Sequence, residues 1–140
     1  MNRRRFLTAA AGVGTAIGLA GCIGGSADST EFDIGMSASR FRPEAFEVEV
    51  GATVVWRNTS KQGHTVTAYE GGIPDDAEYF ASGGFGSEKE ARERYSNRSA
   101  GVLGAGEVYE HEFTVPGTYN YFCIPHERVQ MLGTIDVVEG

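Results

Sequence analysis

Cys123-Ile124-Pro125-His126-Glu127-Arg128-Val129-Gln130-Met131 brings a thiol, an imidazole and a thioether into nine positions near the C-terminus. Two residues separate Cys123 from His126 and four separate His126 from Met131, so one tight turn can aim all three side chains at one point. Thiolate and thioether are soft donors, and a second imidazole would complete a set of known chemistry. His64, upstream at the edge of a β-like run, is the best candidate. Cys with two His and a weak thioether is the donor set of blue-copper electron-transfer centres.

Each of these residues also has a plainer reading. Cys123 alternates with Tyr119 and Tyr121 and would serve as a core thiol; His64 would be an ordinary loop histidine, and Met131 would fill core. Loop spacing together with an upstream imidazole favours the metal reading over three separate coincidences. His111 reads the other way: it shares a strand phase with Tyr109, Phe113 and Val115, as expected of a hydrogen-bonded structural histidine. Three histidines are too few for a multicopper oxidase, and a site closed by Met131 leaves no open position for hydrolytic catalysis, so no enzymatic role is expected.

The elements that must position these residues read as mostly β. Phe46–Val50 alternates apolar residues with acids, the pattern of a strand with one face in a core. Gly51-Ala52 turns the chain into Thr53–Arg57, and Asn58 to Gly63 is a polar loop before a further strand at Val66–Tyr69. Val108–Val115, Thr118–Cys123 and Gly133–Val138 complete the set, with Pro116-Gly117 as a turn. One stretch differs: Ser87 and Glu90 are spaced as a capping box. Glu88/Arg92 and Glu90/Arg94 are acid-before-base pairs four apart, so a short helix is expected over 87–95 inside a long connection, roughly 70–101. Its role is packing across a sandwich edge or docking a partner. The sum is an all-β sandwich or barrel with one short helix.

The N-terminus sets the location. Arg3-Arg4-Arg5-Phe6-Leu7 leads into an Ala/Gly-rich apolar stretch through Leu19 with no acidic residue, which reads as an export signal of twin-arginine type. The stretch is too dilute in large apolar residues for a transmembrane span of about 20 residues. Leu19-Ala20-Gly21-Cys22 resembles a lipobox, so residues 1–21 are expected to be removed and Cys22 lipidated, and two or more chains anchor stably where one does not. Residues 22–30 then form a flexible tether, its last eight residues spanning roughly 15 Å root-mean-square, and residues 31–140 form one domain. With Cys22 in the anchor, Cys123 is the only thiol of that domain and no disulfide is expected.

Cleavage removes three arginines and no acid, leaving nine basic residues against nineteen acidic ones, a net of −10. Such a surface repels nucleic acid. Only Lys61 and Lys89 are lysines, and strong acidity with little lysine resembles the surfaces of haloarchaeal proteins; an acidic face for a basic partner fits equally. Asn58-Thr59-Ser60 and Asn97-Arg98-Ser99 match the glycosylation acceptor pattern.

Phe41 and Pro43, then Gly51, Val54, Trp56 and Asn58, then His64, and finally Gly117-Thr118-Tyr119 leading to Cys123, Pro125, His126 and Met131 resemble the plastocyanin-like cupredoxins, with the halocyanins the nearest match. The resemblance covers about residues 32–138. It implies a Greek-key β-sandwich with one copper ion between two loops at one end, ligated by His64, Cys123, His126 and Met131. It also implies His126 as the electron port, with Ile124, Pro125, Val129 and Leu132 as the apolar patch around it. One departure stands out: Thr65 occupies a position where plastocyanins often carry Asn, so a hydrogen bond from that Asn side chain is in doubt. The Thr65 backbone N–H remains able to reach the Cys123 sulfur.

The expectation is therefore a monomeric one-electron carrier cycling Cu(I)/Cu(II), lipid-tethered to the outer face of the cell membrane and serving redox partners of a membrane electron-transfer chain. The alternative is an extracytoplasmic copper-binding trafficking or storage protein.

Overall fold

The structure, a computed structural model, describes residues 31–140. The signal segment 1–21, Cys22 and the tether 22–30 lie outside the described residues. Phe32–Gly140 forms one compact unit.

Among the described residues, eight strands make two four-stranded sheets. They are β1 (Ile34–Met36), β2 (Phe41–Arg42), β3 (Ala45–Glu49), β4 (Thr53–Asn58), β5 (Thr67–Ala68), β6 (Val108–Glu112), β7 (Gly117–Phe122) and β8 (Leu132–Val138). One sheet has the order β2-β1-β4-β6 and the other β3-β8-β7-β5. From β2 to β7 every connection crosses between the sheets, so the layers are laced together. The expected all-β sandwich with one short helix is the observed architecture. β7 and β8 pair antiparallel with Tyr121 opposite Gly133, and the loop between them carries Cys123, His126 and Met131.

The alternation expected over Phe46–Val50 is observed in β3, where Phe46 and Val48 are half-buried and alternate with exposed acids, although Val50 falls beyond the strand and is exposed. In β4 the sequence Thr-Val-Val-Trp-Arg-Asn buries Val54, Trp56 and Asn58 and leaves the others outward. Trp56 sits at the centre of the core, 5.4 Å from the Tyr121 ring in edge contact and within about 6 Å of Phe80, Tyr109 and Phe113. Each such aromatic contributes on the order of 1.5–3 kcal/mol through area removed from water. Gly133 is required where β8 crosses the core, because a Cβ there would overlap the Tyr121 phenol. Since Tyr121 is two residues before Cys123, this close packing sets the distance between β8 and the strand leading into the loop.

Two strands escaped the sequence reading. β1 is three residues, fully buried and centred on Gly35, so it shows no alternation, and β2 is only two residues long. β1 runs parallel to β4, and tertiary pairing rather than local pattern defines it.

The helix, α1 (Glu88–Arg98), runs three residues beyond the expected end. Ser87 Oγ accepts the Glu90 N–H at 3.1 Å, while the Glu90 carboxylate reaches back to the N–H of Gly86 rather than to Ser87. Ser99 closes it in the left-handed conformation with φ 54. Only Ala91 is buried on this helix, so side-chain ties rather than an apolar face hold it. Glu70 and Glu88 each accept the other's backbone N–H, at 2.9 and 3.1 Å, fixing the helix start to the turn after β5. Among the described residues no helix is long and apolar enough to cross a membrane.

Candidate metal centre

His64, three residues ahead of β5, is fixed by an isolated two-way backbone bridge with Leu103, its N–H donating at 3.2 Å and its carbonyl accepting at 2.7 Å. The loop before it is built on Asn58, which is fully buried. Asn58 Nδ2 donates to the carbonyls of Gln62 (2.6 Å) and Leu103 (2.9 Å), and Oδ1 accepts the Ser60 N–H (2.8 Å) and O–H (2.7 Å). Both amide hydrogens are thus committed inside the fold. Of the two glycosylation patterns, the one at Asn58 is therefore excluded for the folded protein, while Asn97 stays exposed on α1.

The second loop leaves β7 at Cys123 and makes a 3-10 turn over Ile124–Val129, with Pro125 at its start. Its ends are tied across their own base: Cys123 N–H donates to Met131 O at 3.1 Å, and Met131 N–H donates to His126 O at 3.2 Å. Gln130, at φ 71, takes the left-handed conformation that lets the chain return into β8.

These two loops bring the predicted residues together. Both His64 Nδ1 and His126 Nδ1 lie 3.5 Å from Cys123 Sγ, and the three ligand atoms all fall within 4.8 Å of one another. Two donors roughly 2.0 and 2.3 Å from one centre are about 3.5–3.7 Å apart at angles of about 110–120°, so the cluster fits a small soft cation. Met131 is fully buried at the loop's return, its backbone joined to both Cys123 and His126. His64 and Cys123 are also fully buried, whereas His126 is half-buried, so among the three donors His126 is the one that meets the surface.

The groups' own chemistry agrees. Burial, reinforced by the facing His126, pushes the His64 pKa below its usual value and keeps a neutral lone-pair donor. Burial pushes the Cys123 thiol up, against the backbone N–H groups of Thr65 and His126, so a metal must displace the proton. The Thr65 N–H donates to Cys123 Sγ at 3.4 Å, as expected. The Thr65 side chain adds a contact of its own: Oγ1 accepts the Ile124 N–H at 2.8 Å, tying the His64 segment to the Cys123 loop. Thr67 Oγ1 donates to that same hydroxyl at 3.1 Å.

Sequence reasoning missed Ser60. Its Oγ lies 3.1 Å from His64 Nε2. With Nδ1 presented to the cluster, Nε2 carries the proton and donates to Ser60, whose own proton goes to Asn58 Oδ1; such outer partners fix ring orientation and tautomer. The sequence offers only a polar serine four residues before His64, which carries no signal of this contact.

Around His126 the expected apolar patch is partly exposed. Val129 is 57% exposed and Pro125 is exposed, while Ile124 and Leu132 are half-buried. Glu127 points sideways to α1: Arg92 donates to it twice, at 2.9 and 3.2 Å, and Tyr69 donates at 2.6 Å. The Arg92 bonds hold the Glu127 carboxyl below its ordinary pKa. His111 lies on the far side of the core, its ring stacked on Phe80 at 4.8 Å and edge-on to Phe113, so ring packing is what secures it.

Comparison with known proteins agrees with this architecture. Pseudoazurin from Methylobacterium extorquens AM1 shares the fold, with a TM-score of 0.55 at 20% identity over 76% of this chain and 74% of that one. In sequence, plastocyanin from Scenedesmus fuscus is 33% identical over 97 residues, covering 69% of this chain and 85% of its own length. Chloroplastic plastocyanin from Hordeum vulgare is 30% identical over 117 residues, 82% of this chain and 66% of its own length. The family model for copper binding proteins of the plastocyanin/azurin family matches residues 28–138, from ahead of β1 to the end of β8. On that match and those identities, the chain belongs to the plastocyanin/azurin family of copper binding proteins.

Proposed function

We propose that the protein is a one-electron carrier whose single copper ion is held by His64, Cys123 and His126, with Met131 as a weak fourth donor. The observation that carries this reading is the approach of two Nδ1 atoms to one buried sulfur at 3.5 Å. When bound, copper supplies the Cu(I)/Cu(II) couple, and a thiolate with two imidazoles is acceptable to both states. The chain's part is to hold that set still. His64 is braced by Ser60 and Leu103, the sulfur by the Thr65 N–H, and the Cys123 loop by Thr65 Oγ1. Water is excluded from two of the three donors, and electrons enter or leave where the half-buried His126 ring approaches the surface.

The partners are redox proteins of a membrane electron-transfer chain, docking at the Pro125 and Val129 face. The chain works as a monomer of halocyanin type, and the acidic, lysine-poor composition supports a haloarchaeal setting. The twin-arginine sequence, the Leu-Ala-Gly-Cys site and the following tether support export, lipidation at Cys22 and residence on the outer face of the membrane.

A copper-trafficking protein must release its metal, whereas a carrier must keep it. Mixing Cu(I)-loaded with Cu(II)-loaded protein, and separately challenging each with a copper chelator, separates the two. A carrier exchanges electrons rapidly and yields copper slowly in both states; rapid loss of copper with slow electron exchange would replace this reading with trafficking.

A further inference from the structure

The long connection 70–101 has no part in the donor set, yet one side chain of its helix reaches the metal-binding loop. Arg92 spreads its guanidinium between two carboxylates. Nη1 and Nη2 donate to Glu127 at 2.9 and 3.2 Å, and Nε donates to Glu88 at 2.9 Å. The same group lies over the Phe122 ring, 4.4 Å from its centroid, and Tyr69 stacks on that ring at 4.3 Å while donating its O–H to Glu127. Phe122 immediately precedes Cys123 and Glu127 immediately follows His126. Arg92 therefore touches the chain on either side of two candidate ligands.

Isolated surface ion pairs contribute little, but this one is a two-pronged contact within a network of four side chains, the arrangement that does hold geometry. Among the described residues, no other side chain of 124–130 hydrogen-bonds to a different element of the fold. Pro125, Arg128, Val129 and Gln130 are exposed, so without Glu127 the outer half of the turn rests on its own backbone bonds.

We propose that Arg92 is a positioning residue for the metal centre: through Glu127 and Phe122, helix α1 clamps the His126 turn so that it keeps one shape with and without copper and in both oxidation states. This rests on the electron-carrier reading. A turn that shifts with each electron must reorganise at each transfer, so the clamp acts on rate rather than on the presence of the site.

The test compares Arg92→Gln with Arg94→Gln, which removes the same charge from the same helix but from a pair with Glu90, 3.7 Å apart and away from the turn. In copper-free protein, amide hydrogen exchange at Glu127–Met131 should rise about tenfold or more in Arg92→Gln and stay at the wild-type rate in Arg94→Gln. In copper-loaded protein, electron self-exchange should slow by about tenfold in the first variant only. Arg92→Lys keeps the charge without the planar fork and should remain defective. Glu127→Gln leaves the helix intact and should reproduce the effect if Arg92→Gln folds poorly. Equal loop exchange and equal self-exchange in Arg92→Gln and Arg94→Gln, or full recovery by Arg92→Lys, overturns the clamp. Wild-type protein without a blue Cu(II) spectrum overturns the carrier reading instead.

Discussion

Thr65→Val should weaken the fold measurably while leaving the metal centre's colour intact. Thr65 is 1% exposed, and its Oγ1 accepts the Ile124 N–H at 2.8 Å and the Thr67 O–H at 3.1 Å. Valine keeps the branched shape and removes both acceptances at once. A buried donor left without a partner costs about 1–3 kcal/mol, so two of them amount to about 2–6 kcal/mol. For a folded unit of this size that corresponds to a melting temperature lower by about 8–30 °C. Urea denaturation of the copper-free protein is the appropriate assay, because a ligand that binds only the folded state would mask the loss. Thr65→Val combined with Thr67→Val removes the second orphaned hydroxyl and should recover part of the stability. Valine also removes the Thr65 O–H contact to the Cys123 sulfur, but the Thr65 N–H contact belongs to the backbone and survives, so the copper-loaded variant should stay blue. Stability within about 0.5 kcal/mol of wild type would refute the tie between the two loops, since surface-like neutrality is incompatible with two orphaned buried donors.

Ser60→Ala removes one of two acceptors at the His64 ring, the Ser37 backbone being the other, and should weaken copper binding about tenfold in a competitive titration, with Ser60→Thr retaining most of the affinity. Met131→Leu should keep the colour and raise the reduction potential measured by voltammetry, because a weak donor to Cu(II) is lost. His111 has its pKa held below the ordinary 6.5 by burial, with Glu78 and Glu112 acting in the opposite direction. The unfolded chain therefore binds this proton first as pH falls. The stability linked to it is complete above about pH 6.5 and is lost as pH drops from there toward the lower folded value. His111→Phe, which preserves stacking on Phe80, should flatten that slope in denaturation curves taken across the window.

The donor cluster was legible because its residues are short-range in sequence, three of the four within nine positions, and because their types are rare together. β3, β4 and β7 were legible for a similar local reason: alternation in Phe46–Val50, the Gly51-Ala52 turn before Thr53 and the Pro-Gly turn before Thr118 carry their own signal. β1 and β2 were not, since Ile34–Met36 is buried on both faces and defined by pairing to a strand some twenty residues away. Ser60 was hidden because a serine in a polar loop looks solvated until the fold turns it toward His64. Thr65 looked like a departure, and only the fold shows its hydroxyl accepting the Ile124 N–H. Arg92 was visible only as a helix pair with Glu88; its contact with Glu127, 35 residues later, belongs to tertiary structure alone.

The central claim is that a Cys123 thiolate and two imidazoles hold copper in a site made for electron transfer. Copper titration of the purified, metal-free protein followed by visible absorption tests it most directly, run beside Cys123→Ser. The account predicts one equivalent of Cu(II) bound with an intense visible sulfur-to-copper band in the wild type, and no such band in the variant. A colourless Cu(II) complex, or a band unchanged by Cys123→Ser, would contradict it.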